Sequence, residues 1–122
     1  SGEVIQLCDK LRQNGFAVEL TGDIPTLSPR AETALILALT ELTTNILRHS
    51  NGNHCQISFQ QDANILVISM QDNGCIKSIV PGNGLKGIQE RLHSMAGDIS
   101  AQISNGARFD ITLPTAELTQ AN

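Results

Sequence analysis

Tryptophan and tyrosine are absent from this chain of 122 residues, and phenylalanine occurs three times. It therefore has no aromatic platform for stacking nucleic-acid bases. Positive charge is scarce too: eight Lys and Arg against twelve Asp and Glu give a formal charge of -4. That argues against non-specific nucleic-acid binding, which needs a dense basic footprint. No apolar run is long enough to cross a bilayer. Ser1-Gly2 leads straight into a helix-like pattern without the layout of a signal peptide, so this dipeptide reads as an appended remnant on a piece of a longer protein. The three cysteines, Cys8, Cys55 and Cys75, form no C-x-x-C pair and have no metal-ligand spacing with the histidines. Their odd number fits a reducing compartment and a cytosolic setting. Cys75, beside Gly74, reads as an incidental loop cysteine rather than a reactive thiol. What remains is a chain with 40% hydrophobic residues, enough at this length for one domain with a real core.

Periodicity divides that domain into alternating helical and extended segments. Val4, Ile5, Cys8 and Leu11 recur at helical spacing over residues 3 to 14 and stop at Asn14-Gly15. Phe16 to Leu20 alternates as a strand. Ser28-Pro29 sets an N-cap before a first-turn proline, which predicts a long helix from Pro29 to His49 ended by Ser50-Asn-Gly-Asn53. Strands are predicted over Cys55 to Gln60 and Ile65 to Gln71, the second apolar on both faces and hence central. Between Asp72 and Gly84 the pattern gives way to Asn, Gly, Pro and Ser, a loop. Leu85, Ile88, Leu92 and Met95 then predict a third helix up to Gly97. Two strands, Ile99 to Ser104 and Arg108 to Leu113, meet at Asn105-Gly106. The residues after Pro114, 115 to 122, read as a flexible tail. No repeat or linker divides residues 1 to 114. The fold class expected is α+β, a two-layer sandwich with helices on one face of a mixed, mainly antiparallel sheet.

Three places concentrate chemistry. On the long helix, Asn45 falls about 40° from Glu41 and Arg48 about 20° to the other side, with His49 about 80° away, while Leu35, Leu39, Leu42 and Ile46 occupy the opposite arc. A carboxylate and a carboxamide one turn apart suit a hard, oxygen-seeking cation such as Mg²⁺; taken alone, the stripe also reads as a solvated face. Asp72-Asn73-Gly74 delivers a carboxylate from the end of a central strand to the edge of the core, where it can accept a hydrogen bond from an exocyclic amino group such as that of adenine. Alone, it is a turn signal. Gly82-Asn-Gly84-Leu85-Lys86-Gly87 opens a helix with closely spaced glycines, and the free N-H groups and dipole of a helix N-terminus favour an anion such as phosphate. Lys86 adds a movable cation.

The ordered set is more specific than its parts. It resembles the GHKL ATPase superfamily, with its Bergerat ATP-binding fold, and most closely the ATP-binding catalytic domain of sensor histidine kinases of the NarL/DesK-like class. Glu41-Leu-Thr-Thr-Asn45-Ile-Leu-Arg48-His49-Ser50 is similar to that class's N box, Asp72-Asn73-Gly74 to its first glycine box, and Gly82-Asn-Gly-Leu-Lys-Gly-Ile-Gln-Glu-Arg-Leu92 to its second. Asn105 to Pro114 is similar to the closing strand. The resemblance spans Ser28 to Pro114.

The resemblance implies a Mg²⁺ held by Asn45 directly and by Glu41 through water, with Glu41 as the catalytic residue polarising that water or the nucleophile. It implies Asp72 as receiver of the adenine amino group, Gly74 as the backbone passing beside the base, and Gly82, Gly84, Leu85 and Gly87 as a mobile lid around the phosphates of ATP. Arg48, His49 and Lys86 are the implied supporting contacts to phosphate or lid. Glu90 and Arg91 are expected in structural ion pairs, and His54 and His93 as structural or solvated residues. Many members carry Gly-Thr where this chain has Gly106-Ala107, which puts one adenine contact in doubt. The implied partners are an upstream dimerisation and histidine-phosphotransfer domain, whose histidine rather than His49 accepts the γ-phosphate, and a response regulator. No nucleic acid and no direct membrane contact are expected. The setting implied is the cytoplasmic domain of a bacterial sensor kinase, membrane-bound or cytosolic. Two readings from other classes stay open: an anti-sigma-factor-type serine kinase that binds a sigma factor, and a non-catalytic nucleotide-binding module.

Overall fold

The computed structural model describes residues 2–74, 83–103 and 106–117. Helices α1 (Gly2–Gln13), α2 (Pro29–His49) and α3 (Asn83–His93) alternate with strands β1 (Ala17–Thr21), β2 (His54–Gln61), β3 (Ile65–Asp72), β4 (Asp98–Ile103) and β5 (Ala107–Pro114) in the order α1-β1-α2-β2-β3-α3-β4-β5. The α+β expectation holds. The sheet runs β1-β2-β3-β5-β4, with β1 parallel to β2 and every other pair antiparallel. β3 is the middle strand, as its apolar run predicts.

Period-two alternation sorts the two faces. Cys55, Ile57 and Phe59 on β2, Leu66, Ile68 and Met70 on β3, and Ala107, Phe109, Ile111 and Leu113 on β5 are all buried on one side, in register with one another. Val67 and Ser69 on the opposite face of β3 are half-buried, so the strand is fully covered on one side alone. The helices lie over the apolar side: α1 contributes Val4, Cys8 and Leu11, α2 contributes Leu35, Leu39, Leu42 and Ile46, and α3 contributes Ile88 and Leu92.

Helix boundaries follow capping chemistry. Ser28 caps α2, its Oγ accepting from the Ala31 N-H at 3.2 Å, with Pro29 in the first turn. α1 ends in a Schellman motif: Gly15, at φ +91°, donates to Arg12 O and Phe16 donates to Leu11 O. α3 ends the same way one residue earlier than its glycine suggests. Ala96, at φ +57°, takes the left-handed position, and Gly97 N-H closes back on Leu92 O at 2.8 Å. Gly97 is needed for a different reason, since a β-carbon there would come 2.5 Å from Thr112 O.

The chain past Pro114 opens with a short turn over Thr115–Glu117. Thr115 donates from its N-H to Asn64 O and from its hydroxyl to Ala63 O, fastening this stretch to the β2–β3 hairpin. Most of the loop predicted from Asp72 to Gly84, with Cys75 and Gly82, lies outside the described residues, as do 104, 105 and 118–122.

Candidate functional site

Asp72 closes β3 on the helix-covered face, opposite Cys55 in register, and is 2% exposed. A buried carboxylate needs donors, and the chain supplies three. Ala107 N-H reaches Oδ1 at 3.0 Å, Gly74 N-H reaches Oδ2 at 3.2 Å, and the Ser50 hydroxyl donates to Oδ2. The position that raised doubt in the sequence, Ala107, thus contributes through its backbone, which no side-chain comparison reveals. Its β-carbon lies on the same face as Asp72 and is fully buried.

Ser50, expected from the sequence only to help end the long helix, also holds this carboxylate. It terminates α2 in extended geometry, φ -94° and ψ 139°, its N-H bonded to Ile46 O. Its Oγ also accepts the Gly52 N-H at 3.0 Å. Gly52 and Gly74 are glycines because this corner is crowded: a β-carbon on Gly52 would lie 2.6 Å from Gly74 N, and one on Gly74 would run into Ser50 Oγ and the Gly52 backbone. Asn73 fastens the same corner. Its Oδ1 accepts from the N-H groups of Asn53 and His54, both at 2.9 Å, and its Nδ2 donates to Asn53 Oδ1. The Asp-Asn-Gly signal is therefore a turn and a clamp together, joining the end of α2 to the end of β3.

Glu41 and Asn45 lie on α2 five and more residues before that clamp and are half-buried. Asn45 is about 7–8 Å along the axis from Ser50, and Glu41 about 6 Å further. Glu41 faces a cleft of ≈ 230 Å³ between two helices, lined by Ala34, Leu37, Gly87, Ile88 and Arg91. The structure thus brings Glu41 and Gly87 to one cleft. A β-carbon on Gly87 would meet nothing within 4 Å. Arg48 and Lys86 are exposed. Asn83 begins α3, so Gly84, Leu85, Lys86 and Gly87 belong to its first two turns, and the N-H groups of its first residues lack intrahelical partners. The side chains of His49 and Leu85, and all of Gly82, lie outside the described residues.

One expectation about charged residues changes. Among the described residues neither Glu90 nor Arg91 makes an ion pair; Arg91 instead faces Glu41's cleft, because α3 turns that side toward α2. His54 and His93 do pair on the surface, with Glu19 at 2.9 Å and Asp98 at 3.2 Å. Burial, with Asp72 second and Cys8 third, pushes the Cys55 thiol up to about 12, and burial raises Cys8 as well. Both thiols are packing groups rather than nucleophiles.

No family model matches the chain. It is 30% identical over 116 residues to sensor histidine kinase YvfT of Bacillus subtilis, covering 92% of this chain and 31% of that protein. It is 32% identical to sensor histidine kinase DesK of the same organism, covering 68% and 24%. The chain thus spans about a third or less of the length of these curated relatives. Among solved structures it is similar to the histidine kinase domain of the Erythrobacter litoralis EL346 blue-light activated histidine kinase, at TM-score 0.76 and 14% identity over 94% of this chain and 59% of that one. It is also similar to the catalytic domain of histidine kinase ThkA, at TM-score 0.73 and 17% identity over 93% and 88%. At such identities the structural likeness speaks for the fold.

Proposed function

This chain belongs to the GHKL-type ATP-binding domains of DesK-like sensor histidine kinases, and from that premise we propose that it binds Mg-ATP and presents the γ-phosphate to a histidine on an upstream dimerisation domain. The observation that carries the reading is Asp72. A carboxylate held at the end of the middle strand by three protein donors keeps one of its roughly four accepting positions open. That position suits the exocyclic amine of adenine.

The residues fit the metal as well. Asn45 and Glu41 offer a carboxamide and a carboxylate oxygen from neighbouring turns of a half-buried face, the hard donors Mg²⁺ takes when phosphate oxygens and water complete its shell. Asn45 would hold the ion directly and Glu41 through a bound water. Bound there, Mg²⁺ supplies positive charge to the phosphate oxygens. The chain's own part is to align and to neutralise: the first N-H groups of α3 and the Lys86 ammonium draw the phosphates, and Glu41 orients the incoming group. Gly74, Gly82, Gly84, Leu85 and Gly87 let the backbone close on the nucleotide, with Arg48 and His49 in support. The acceptor histidine, a response regulator downstream and a cytoplasmic setting complete the proposal. No helix among the described residues is long and apolar enough to cross a membrane.

Calorimetry with ATP and Mg²⁺ tests this. Asn45→Ala should weaken binding and abolish its enhancement by Mg²⁺, while Asp72→Ala, assayed after its folded fraction is measured, should bind adenine and inosine nucleotides equally. Unchanged affinity in both variants would refute the assignment.

A further inference from the structure

We propose that Ser50 is a positioning residue for purine recognition: its hydroxyl aims the Asp72 carboxylate so that Oδ1 meets the exocyclic amine of the base. The proposal rests on the reading that Asp72 receives a nucleotide.

The two carboxylate oxygens are unequally occupied. Oδ2 accepts twice, from the Ser50 hydroxyl and from Gly74 N-H, whereas Oδ1 accepts once, from Ala107 N-H. A carboxylate oxygen has about two accepting positions, so Oδ2 is full and Oδ1 has one left. Ser50 cannot turn its proton elsewhere without loss, because the hydroxyl has a single donor and that donor is directed at Asp72, while its Oγ accepts the Gly52 N-H at 3.0 Å. Without that hydroxyl, Oδ2 gains an empty position and the carboxylate, held by two backbone donors alone, is less firmly oriented and offers the amine two half-satisfied oxygens instead of one fixed acceptor. The partners are 22 residues apart in sequence. Ser50 also terminates α2, the helix of Glu41 and Asn45, so one hydroxyl ties the base end of the site to the helix of its metal end.

The test compares ATP with purine riboside triphosphate, which lacks the amino group, in titrations of the chain and of Ser50→Ala and Ser50→Thr. In the unaltered chain ATP should bind more tightly than the deaminated nucleotide. Ser50→Ala should lose about tenfold on ATP, the equivalent of one hydrogen bond to a charged group, and less than about twofold on purine riboside triphosphate. Ser50→Thr, which keeps the hydroxyl in backbone geometry that a β-branched residue accepts, should restore the preference. An equal loss on both nucleotides, or a preference unchanged by Ser50→Ala, would overturn the positioning role. Failure of the unaltered chain to distinguish the nucleotides would instead remove the reading of Asp72 on which the role rests.

Discussion

Replacing Asp72 should damage the fold before it damages any chemistry, and the size of the damage can be worked from its partners. Asp72→Ala deletes the acceptor of three hydrogen bonds at a position 2% exposed, leaving the Ala107 and Gly74 N-H groups and the Ser50 hydroxyl unmatched. A buried donor without a partner costs about 1–3 kcal/mol. Ser50 is half-buried and water can meet it, and the variant no longer has to bury a carboxylate, so each donor counts near the low end of the range and the three sum to about 3–4 kcal/mol. Against a typical domain stability of about 5–15 kcal/mol that is a large fraction. Asp72→Asn keeps one acceptor oxygen. Whichever way its amide turns, one backbone N-H loses its partner, for about 1–2 kcal/mol. With a urea slope of about 2 kcal/mol/M, Asp72→Ala should lower the unfolding midpoint by about 1.5–2 M and Asp72→Asn by about half of that. Urea melts followed by far-UV circular dichroism decide it. Midpoints for both variants within 0.3 M of the unaltered chain, a margin of roughly half a kcal/mol, would show that the three donors are not converging on this carboxylate.

Ala96→Gly should stabilise the chain by about 0.5–1 kcal/mol, because a left-handed alanine costs about 1–2 kcal/mol and the greater unfolded freedom of glycine returns only part of it. A thermal melt showing a loss would mean that Ala96 does not terminate α3 in that conformation. Thr43 is 1% exposed and its hydroxyl has no hydrogen-bond partner among the described residues, so Thr43→Val should be neutral or stabilising by up to about 1 kcal/mol; a clear loss would reveal a bond to that hydroxyl. Asp62 should titrate below the ordinary carboxylate value, since its Oδ1 accepts the Asn64 and Ile65 N-H groups at 2.7 and 2.8 Å. A folded pKa below the unfolded one adds stability that is present above about pH 4 and lost as pH falls through the folded value. Carboxyl-carbon NMR giving Asp62 an unshifted midpoint would contradict that turn geometry.

How much was legible in the sequence follows the range of the forces involved. α2 is predicted from Pro29 to His49 and found there because its start and stop are written locally, in Ser28-Pro29 and in the Ser50-Asn-Gly stretch. The strands are legible for the same reason, through period-two burial against one covered face. Ala96 was not, because alanine carries no signal for left-handed backbone and the adjacent Gly97 offered a more ordinary explanation of the helix end. Gly97 is fixed instead by Thr112 across the fold. Glu41, Asn45 and Asp72 are proposed as site residues from residue type and order. Ser50 and the Ala107 N-H are not, because both act through contacts 22 and 35 residues away in sequence, and one of them is backbone. Arg91 reads as half of an ion pair in sequence, and only the packing of α3 beside α2 turns it toward Glu41's cleft.

The same contacts set a limit on what Asp72 can discriminate. Because three protein donors already satisfy most of its capacity, the buried carboxylate is tolerated without a ligand, and on the proposed reading a purine amine would add a fourth bond instead of rescuing a bare charge. A nucleotide lacking the amine therefore leaves one accepting position unmatched, a cost of about 1–2 kcal/mol, or roughly tenfold in affinity. A carboxylate without protein donors would discriminate far more strongly, but it could not be held at the end of the middle strand before the ligand arrived. On the proposed reading the conflict is resolved in favour of a prebuilt base site: the residue proposed to read the base is also one that holds β3, β5 and the end of α2 together. On that reading stability and recognition cannot be altered separately by changing Asp72, whereas Ser50→Ala, which leaves both backbone donors to the carboxylate in place, should cost recognition more than stability.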